Sequence, residues 1–185
     1  MPKPSGRLAR VGQASSQARL LSLQLVAHID ALQIEYSAYC LDYENNGLIA
    51  TAKELGVQVV AFSPLGAGFL TGKYKDPEQF KNDIRGDAGR FAQENLDNNL
   101  RLLHALEGIA EKKGCTPAQL ALAWVSAQGA IPIPGTRSAS RLEENFGATN
   151  VKISEGELGE IRDILNKNPV NGGRWGEYIT SAMGK

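Results

Sequence analysis

The stretch LIATAKELGVQVVAF, residues 48–62, decides the fold class of this 185-residue chain. Leu48 to Leu55 has the pattern of a helix, and Gly56 supplies the residue that often ends a helix in the left-handed conformation. Directly after it, residues 57–62 form a nearly continuous apolar run, which is typical of strands buried on both faces in parallel sheets. The connection between them is too short for anything but a tight turn. The stretch therefore predicts an α/β fold with a parallel sheet.

Upstream of this stretch, the sequence predicts one more helix and one more strand. A pair of serines at positions 15 and 16 is suited to cap a helix that runs to about residue 27. Its leucines Leu20, Leu21 and Leu25 are expected on the buried side. Residues 31–36 then form a short predicted strand.

Downstream, a long polar stretch and several further elements follow. Residues 73–95 are expected to be a surface loop over an opening. Leucines then recur at helical spacing up to Gly114, and Thr116-Pro117 is a strong start signal for the next helix. The remaining elements are a strand over residues 130–134, a helix opened by Ser138 or Ser140, and a last helix whose capping box is Ser154 with Glu157. Only three convincing strands result, too few to close a barrel of the usual eight.

Composition limits the class of protein. Basic and acidic residues balance at 20 each, and 42% of residues are hydrophobic, so the chain is predicted to be globular, with no case for binding nucleic acid or a membrane surface. Cys40 and Cys115 lack metal-binding spacing and are expected to be free thiols in the reducing cytoplasm. Residues 1–14 are expected to be a disordered leader. A mitochondrial transit peptide is the alternative, because the first 29 residues carry basic but no acidic side chains.

Three segments at the ends of predicted strands are candidates for chemistry, since ligands gather there in parallel α/β folds. They are residues 36–37, residues 62–66 with their continuation to residue 72, and residues 134–138. The second is rich in small residues, and the third runs into a helix start that carries Arg137 and Arg141, an arrangement suited to a phosphate. Plain turns are the alternative, with Arg141 paired to a glutamate on its own helix. The two histidines form no metal-binding cluster, so no metal site is predicted.

Four segments of the chain resemble, in order, motifs of the aldo-keto reductase family. They are QIEYS at residues 33–37, AFSPLG at 61–66, IPGTR at 133–137 and RLEEN at 141–145. The segment at 111–124 is also similar, and the likeness is closest to the branch with pyridoxal reductase-like members, over roughly residues 20–168.

The resemblance implies a partial (β/α)8 TIM barrel, roughly its last three βα units plus C-terminal helices, that binds NADP(H) across its mouth. Domain bounds are then 15–168 for this part and 169–185 for a tail whose Trp175 and Tyr178 are expected to shape the substrate mouth. By position in the family motifs, the residues implied to bind the cofactor are Gln33, Phe62, Ser63, Pro64, Leu65, Gly66, Gly135, Thr136, Arg137, Arg141, Glu144 and Asn145. Gly135 stands where other branches have a phosphate-binding lysine.

The family's catalytic residues come from earlier strands, so the chain is expected to lack the catalytic half, and no residue here is carried over as catalytic. The function implied is NADP(H)-dependent reduction of aldehydes and ketones to alcohols by the full-length family. The alternative is a non-catalytic module that binds NADP(H) or a partner. Open sheet edges favour self-association or a completing chain.

Overall fold

The computed structural model describes residues 11–12, 15–80 and 85–174 of the chain. Its four strands, β1 to β4, span Val11–Gly12, Ala31–Glu35, Gln58–Phe62 and Ile131–Pro132. The helices α1 to α7 in these ranges span Gln17–Val26, Asp42–Asn45, Leu48–Glu54, Gln93–Lys113, Pro117–Ala127, Ala139–Gly147 and Glu155–Lys167.

The strands form one parallel sheet in the order β1-β2-β3-β4, which confirms the predicted α/β class. The strand β1 extends the expected three strands to four and lies inside the segment 1–14 that was expected to be disordered. That expectation is wrong at residues 11–12, because they pair with Ala31 and Leu32 of β2. A two-residue strand is too short to produce a periodic signal. The other residues of the segment lie outside the described ranges.

The two faces of the sheet differ in burial. Leu32 and Ile34 of β2, and Val59 and Ala61 of β3, are buried in the core that the sheet shares with the helices. Gln33, Val60 and Phe62, which alternate with them, are only half-buried, whereas Glu35 on the same face is buried. The expectation that the run at 57–62 is buried on both faces is therefore wrong, because in the described part of the chain helices cover one face.

Local sequence signals place most helix ends. Gly56 adopts a φ of +67° after α3, and Gly114 adopts +68° after α4. Thr116 and Gln119 form a capping box at the start of α5, with Pro117 as its first residue, and Ser154 forms another with Glu157. The helix starts and stops predicted at these residues are therefore confirmed. Each depends on hydrogen bonds or a backbone angle within four residues.

Helix α1 departs from its prediction. Leu20 is fully buried, whereas Leu21 is 46% and Leu25 is 90% exposed. Successive helical residues are rotated by about 100°, which turns Leu21 and Leu25 away from the side that Leu20 buries. The helix packs against α3 in the described chain, and its other flank stays open. The cysteines are free, with Cys40 buried and Cys115 half-buried.

Candidate functional site

A cavity of about 300 Å³ opens beyond the carboxyl ends of β3 and β4. One wall comes from the segment after β3, and the other comes from the segment after β4 with the first turns of α6. The lining residues are Ser63, Pro64, Leu65, Ala67, Gly68, Thr71, Lys73, Tyr74, Arg85, Ala118, Pro134, Gly135, Thr136, Arg141, Glu144 and Asn145. Two segments that are far apart in sequence thus share one concave site.

The wall after β3 is a compact series of turns. Ser63 and Ala67 have φ angles of +48° and +55°, a conformation that costs a residue with a side chain about 1–3 kcal/mol. Gly66 and Gly68 are also left-handed, with φ of +58° and +90°. The amide of Gly66 donates to the carbonyl of Ser63 at 2.9 Å. A side chain at Gly66 would collide with Tyr39, since an added Cβ would lie 2.8 Å from the Tyr39 Cβ. Strained backbone of this kind concentrates at ligand sites.

The wall after β4 ends in a helix start. The Thr136 hydroxyl accepts from the amide of Ser138 at 3.1 Å and shapes the turn into α6. An added Cβ at Gly135 would meet no heavy atom within 4 Å, so a side chain at this position would project into open space. Arg141 is exposed at the rim, and among the described residues it makes no ion pair with Glu143 or Glu144, so the alternative of a helix-internal pair is not realised. Its guanidinium and the helix N-terminus both favour an anion here.

The structure brings together most of the residues that the sequence singled out. Eight of the twelve line the cavity: Ser63, Pro64, Leu65, Gly135, Thr136, Arg141, Glu144 and Asn145. Arg137 lines an adjoining depression with Gly135, Thr136, Ser138 and Arg141. Gly66 lies in the turn but packs against Tyr39.

Gln33 and Phe62 lie apart from this cavity but close to each other. They are on the half-buried face of adjacent strands, where Gln33 pairs with Val60 and Phe62 pairs with Glu35. The proposed tail aromatics, Trp175 and Tyr178, lie outside the described residues.

The other lining residues are Ala67, Gly68, Thr71, Pro134 and Ala118, together with three that sequence reasoning missed as site residues: Lys73, Tyr74 and Arg85. The last three fall in the polar stretch expected to be a surface loop over an opening. That stretch does border the cavity, but it is not wholly exposed, because Phe80 and Phe91 are buried in it. Polarity signalled the loop, and nothing in the sequence distinguished the residues that turn inward.

A second polar cluster, also missed, joins the end of β2 to the tail. Glu35 is 5% exposed and forms ion pairs with Arg174 and, at 3.9 Å, with Arg90. Asn99 is fully buried and binds the tail backbone at Asn171. These residues are distant from each other in the sequence, so no local motif predicts their contacts. The cluster fixes the residues after α7 against the start of α4.

Within the described residues, no group of histidine, cysteine, aspartate or glutamate could hold a metal ion. No helix in the same ranges combines the length and apolar character that crossing a membrane requires.

Comparisons with known proteins point to one family. The model of the aldo/keto reductase family matches residues 4–166. The aldo-keto reductase str7 of Strobilurus tenacellus is 42% identical over 175 residues, and the aldo-keto reductase yakc [NADP(+)] of Schizosaccharomyces pombe is 38% identical over 177 residues. These matches cover 91% and 92% of this chain and 52% of each relative, so the chain spans about half the length of the curated relatives it matches.

The solved structures agree on the fold. A glycerol dehydrogenase from Gluconobacter oxydans superposes with a TM-score of 0.80 at 24% identity, over 88% of this chain and 50% of that chain. A thermostable aldo-keto reductase in complex with epalrestat gives a TM-score of 0.63 over 82% of this chain and 46% of that chain. The fold is therefore that of part of an aldo-keto reductase TIM barrel.

Proposed function

The chain belongs to the aldo-keto reductase family, and from that premise we propose that its cavity binds the phosphate-bearing end of NADP(H). One observation carries the proposal: two distant segments, each suited to an anion, line the same cavity. The activity we propose for the whole protein is NADP(H)-dependent reduction of aldehydes or ketones to alcohols. This chain contributes the cofactor-binding part of that activity.

The residues of the cavity suit a polyanionic ligand. Three basic side chains, Lys73, Arg85 and Arg141, line it together with one carboxylate, Glu144. The N-terminal turns of α6 add partial positive charge, which favours a phosphate. Gly135 leaves the wall open where a side chain would project. An arginine at the position of Arg141 also suits a 2′-phosphate, because its planar fork can donate two hydrogen bonds to phosphate oxygens.

NADPH, when bound, supplies the hydride that reduces a carbonyl carbon. In this proposal Ser63, Thr136 and Arg141 hold the phosphates, while Gln33 and Phe62 hold the nicotinamide end from the open face of the sheet. The chain's role is to bind and orient the cofactor.

We assign no catalytic residue within the chain. The hydroxyl of Tyr36 donates to Glu44 Oε2 at 2.6 Å, and that of Tyr39 donates to the carbonyl of Arg90 at 3.1 Å. Burial raises the pKa of both tyrosines, which makes them weaker acids. Neither is therefore arranged to protonate a substrate carbonyl. Because a positioned general acid contributes about 10²–10⁴-fold, we expect the chain alone to show little or no turnover.

The test is titration of the purified chain with NADPH, followed by nicotinamide fluorescence, for the natural chain and for Arg141→Ala. We expect saturable binding that weakens about tenfold in the variant, the low end for a hydrogen bond to a charged group at an exposed site. Arg101→Ala is the matched control, since Arg101 is an exposed arginine of α4 away from the cavity. Absence of NADPH binding by a folded natural chain would refute the proposal.

A second candidate role is association with another chain, and exposed apolar side chains favour it. Leu142 and Phe146 of α6 are 61% and 74% exposed, and Val26 at the end of α1 is 87% exposed. We propose that the chain self-associates through these flanks, because such patches mark interaction surfaces. Strand pairing along β4 is hindered, since Pro132 has no N–H to donate. Sedimentation of the natural chain and of a Leu142→Lys, Phe146→Lys variant tests this; a monomeric natural chain at micromolar concentration would contradict it.

A further inference from the structure

We propose that Tyr39 is a positioning residue that couples the start of the tail, residues 169–174, to the turn after β3, residues 63–68. Docking of the tail on α4 then favours the backbone conformation of a turn that lines the cavity. The inference rests on the proposed function. It adds a residue that is not among the described residues lining the cavity, and it makes cofactor binding depend on the tail.

The ring of Tyr39 supports the turn. A Cβ built on Gly66 would lie 2.8 Å from the Tyr39 Cβ and 3.0 Å from its Cδ1, so the Gly66 backbone packs directly on this side chain. The Tyr39 ring also stacks on Phe69, with centroids 4.4 Å apart, and the Phe69 amide donates to the Gly66 carbonyl at 3.1 Å. Both rings are buried. Because buried side chains are closely packed, a shift of Tyr39 has to displace the backbone at Gly66.

The hydroxyl of Tyr39 is tied to the tail through Asn99. It accepts from Asn99 Nδ2 at 3.0 Å and donates to the carbonyl of Arg90 at 3.1 Å. The same Asn99 side chain accepts from the amide of Asn171 at 2.8 Å and donates to its carbonyl at 3.0 Å. A second link comes from Arg90, whose amide donates to the carbonyl of Gly173 at 3.2 Å. The tail and the support of the turn thus share hydrogen-bond partners.

The turn needs support from outside because its backbone is strained. Ser63 and Ala67 hold φ angles of +48° and +55°, which residues with side chains keep only where the surrounding structure enforces them. The packing of Tyr39 on Gly66, between these two residues, is a contact of that kind. If the docked tail favours this conformation and NADP(H) binds to it, the ligand must favour docking by the same factor. We expect a factor of about five, the low end for such coupling, because Tyr39 is one of several contacts that hold the turn.

The first experiment measures amide hydrogen exchange, resolved by residue, without any ligand. The Gly66 amide donates to the carbonyl of Ser63 at 2.9 Å and reports on the turn. Asn99→Ala should speed its exchange about fivefold, and so should Tyr39→Phe, which keeps the ring and leaves Asn99 bound to Arg90 at 2.8 Å. The double variant should be no faster than either single variant, since both remove the same link. Additive effects, or no effect of Asn99→Ala at Gly66, would overturn the coupling.

Two controls separate coupling from a general loss of stability. Asn98→Ala removes another hydrogen bond to the tail, at the carbonyl of Pro169, but within the described chain Asn98 makes no hydrogen bond to Tyr39. It should leave exchange at Gly66 unchanged. The reference amide is that of Leu158 in α7, which donates to the carbonyl of Ser154 and should exchange equally in all variants. Equal acceleration at Leu158 and Gly66 would mean that the variants only destabilise the whole chain, and the proposal would be wrong.

The second experiment adds NADPH. In the natural chain the ligand should slow exchange at the Asn171 amide, which donates to Asn99 Oδ1, and in Tyr39→Phe it should not. Fluorescence titration should show NADPH binding weakened about fivefold by Asn99→Ala and unchanged by Asn98→Ala. NADPH that binds the natural chain without slowing exchange at Asn171 would overturn the coupling and leave the proposed function standing. A natural chain that binds no NADPH would refute the proposed function, and the experiment without ligand would then decide the coupling by itself.

Discussion

Replacing Asn99 with alanine should loosen the start of the tail, residues 169–174, on the body of the chain. Asn99 is fully buried in α4, and its side chain makes four contacts of 3.0 Å or less. Two of them hold Asn171, whose amide donates to Asn99 Oδ1 at 2.8 Å and whose carbonyl accepts from Nδ2 at 3.0 Å. The other two reach the Tyr39 hydroxyl and the Arg90 carbonyl.

The size of the effect follows from which groups lose their partner. The Arg90 carbonyl keeps the hydrogen bond from the Tyr39 hydroxyl, so it remains satisfied in the variant. The amide and carbonyl of Asn171 each lose the partner that Asn99 provides. Asn171 is an exposed residue, so water can bind its freed amide and carbonyl, and each lost hydrogen bond costs its net contribution of about 0.5–1.5 kcal/mol. The expected loss from the two bonds is about 1–3 kcal/mol, which is about 5- to 160-fold in the unfolding equilibrium.

The assay is urea unfolding at neutral pH, with amide hydrogen exchange to locate the change. We expect a lower free energy of unfolding and faster exchange at Asn171. Asn98→Ala is the matched neighbour, because Asn98 donates to the carbonyl of Pro169 at 2.9 Å at an exposed position, and its loss should stay below about 1 kcal/mol. Equal and small effects of the two variants would show that the buried Asn99 does not fix the tail.

Two further predictions concern stability. Lys113 and Ser154 hold the pKa of Glu157 at about 2, below its ordinary value of 4.5, so the stabilisation is present above pH 4.5 and is lost as pH falls towards 2. Thermal melts should therefore show Glu157→Gln less stable than the natural chain at pH 7 and equal to it near pH 2, whereas a constant difference would contradict this. Gly66→Ala should destabilise the chain by about 1–3 kcal/mol in urea, because of its φ of +58° and the contact with Tyr39. Gly159→Ala, inside α7 with no neighbour within 4 Å, should instead stabilise it by about 0.5–1 kcal/mol, and a matching loss there would contradict the argument.

What the sequence predicted well is local. The caps at Thr116 and Ser154 and the stop at Gly114 each depend on hydrogen bonds or a backbone angle within a few residues. The strand that ends at Phe62 was predicted from the apolar residues of the run itself and from the helix-ending glycine just before it. Such signals need no knowledge of the rest of the fold.

What the sequence did not reveal depends on contacts across long separations. In the sequence, Glu35 is an ordinary polar residue of a predicted strand. Its burial is explained by the ion pair with Arg174, which lies far away in the sequence. Ser63 and Ala67 carry no mark of a left-handed conformation, since residues with side chains rarely adopt it. Arg85 lies in a polar loop where any basic residue would look alike. Its contacts with Tyr74, Phe80 and Ala67 form only in the folded chain.

The two ends of the proposed cofactor site differ in how far the described residues surround them. The proposed phosphate end is lined by segments within residues 63–145, which pack on α5 and on the two last strands. The nicotinamide end relies on Gln33 and Phe62, which stand half-buried on the face of the sheet that the described helices leave open. The affinity for NADP(H) should therefore depend mainly on contacts with its phosphates. The orientation of the nicotinamide ring should depend on what covers the open face of the sheet. Under the proposed function we therefore expect cofactor binding and catalysis to be separable, because the residues proposed to bind the phosphates lie apart from Gln33 and Phe62.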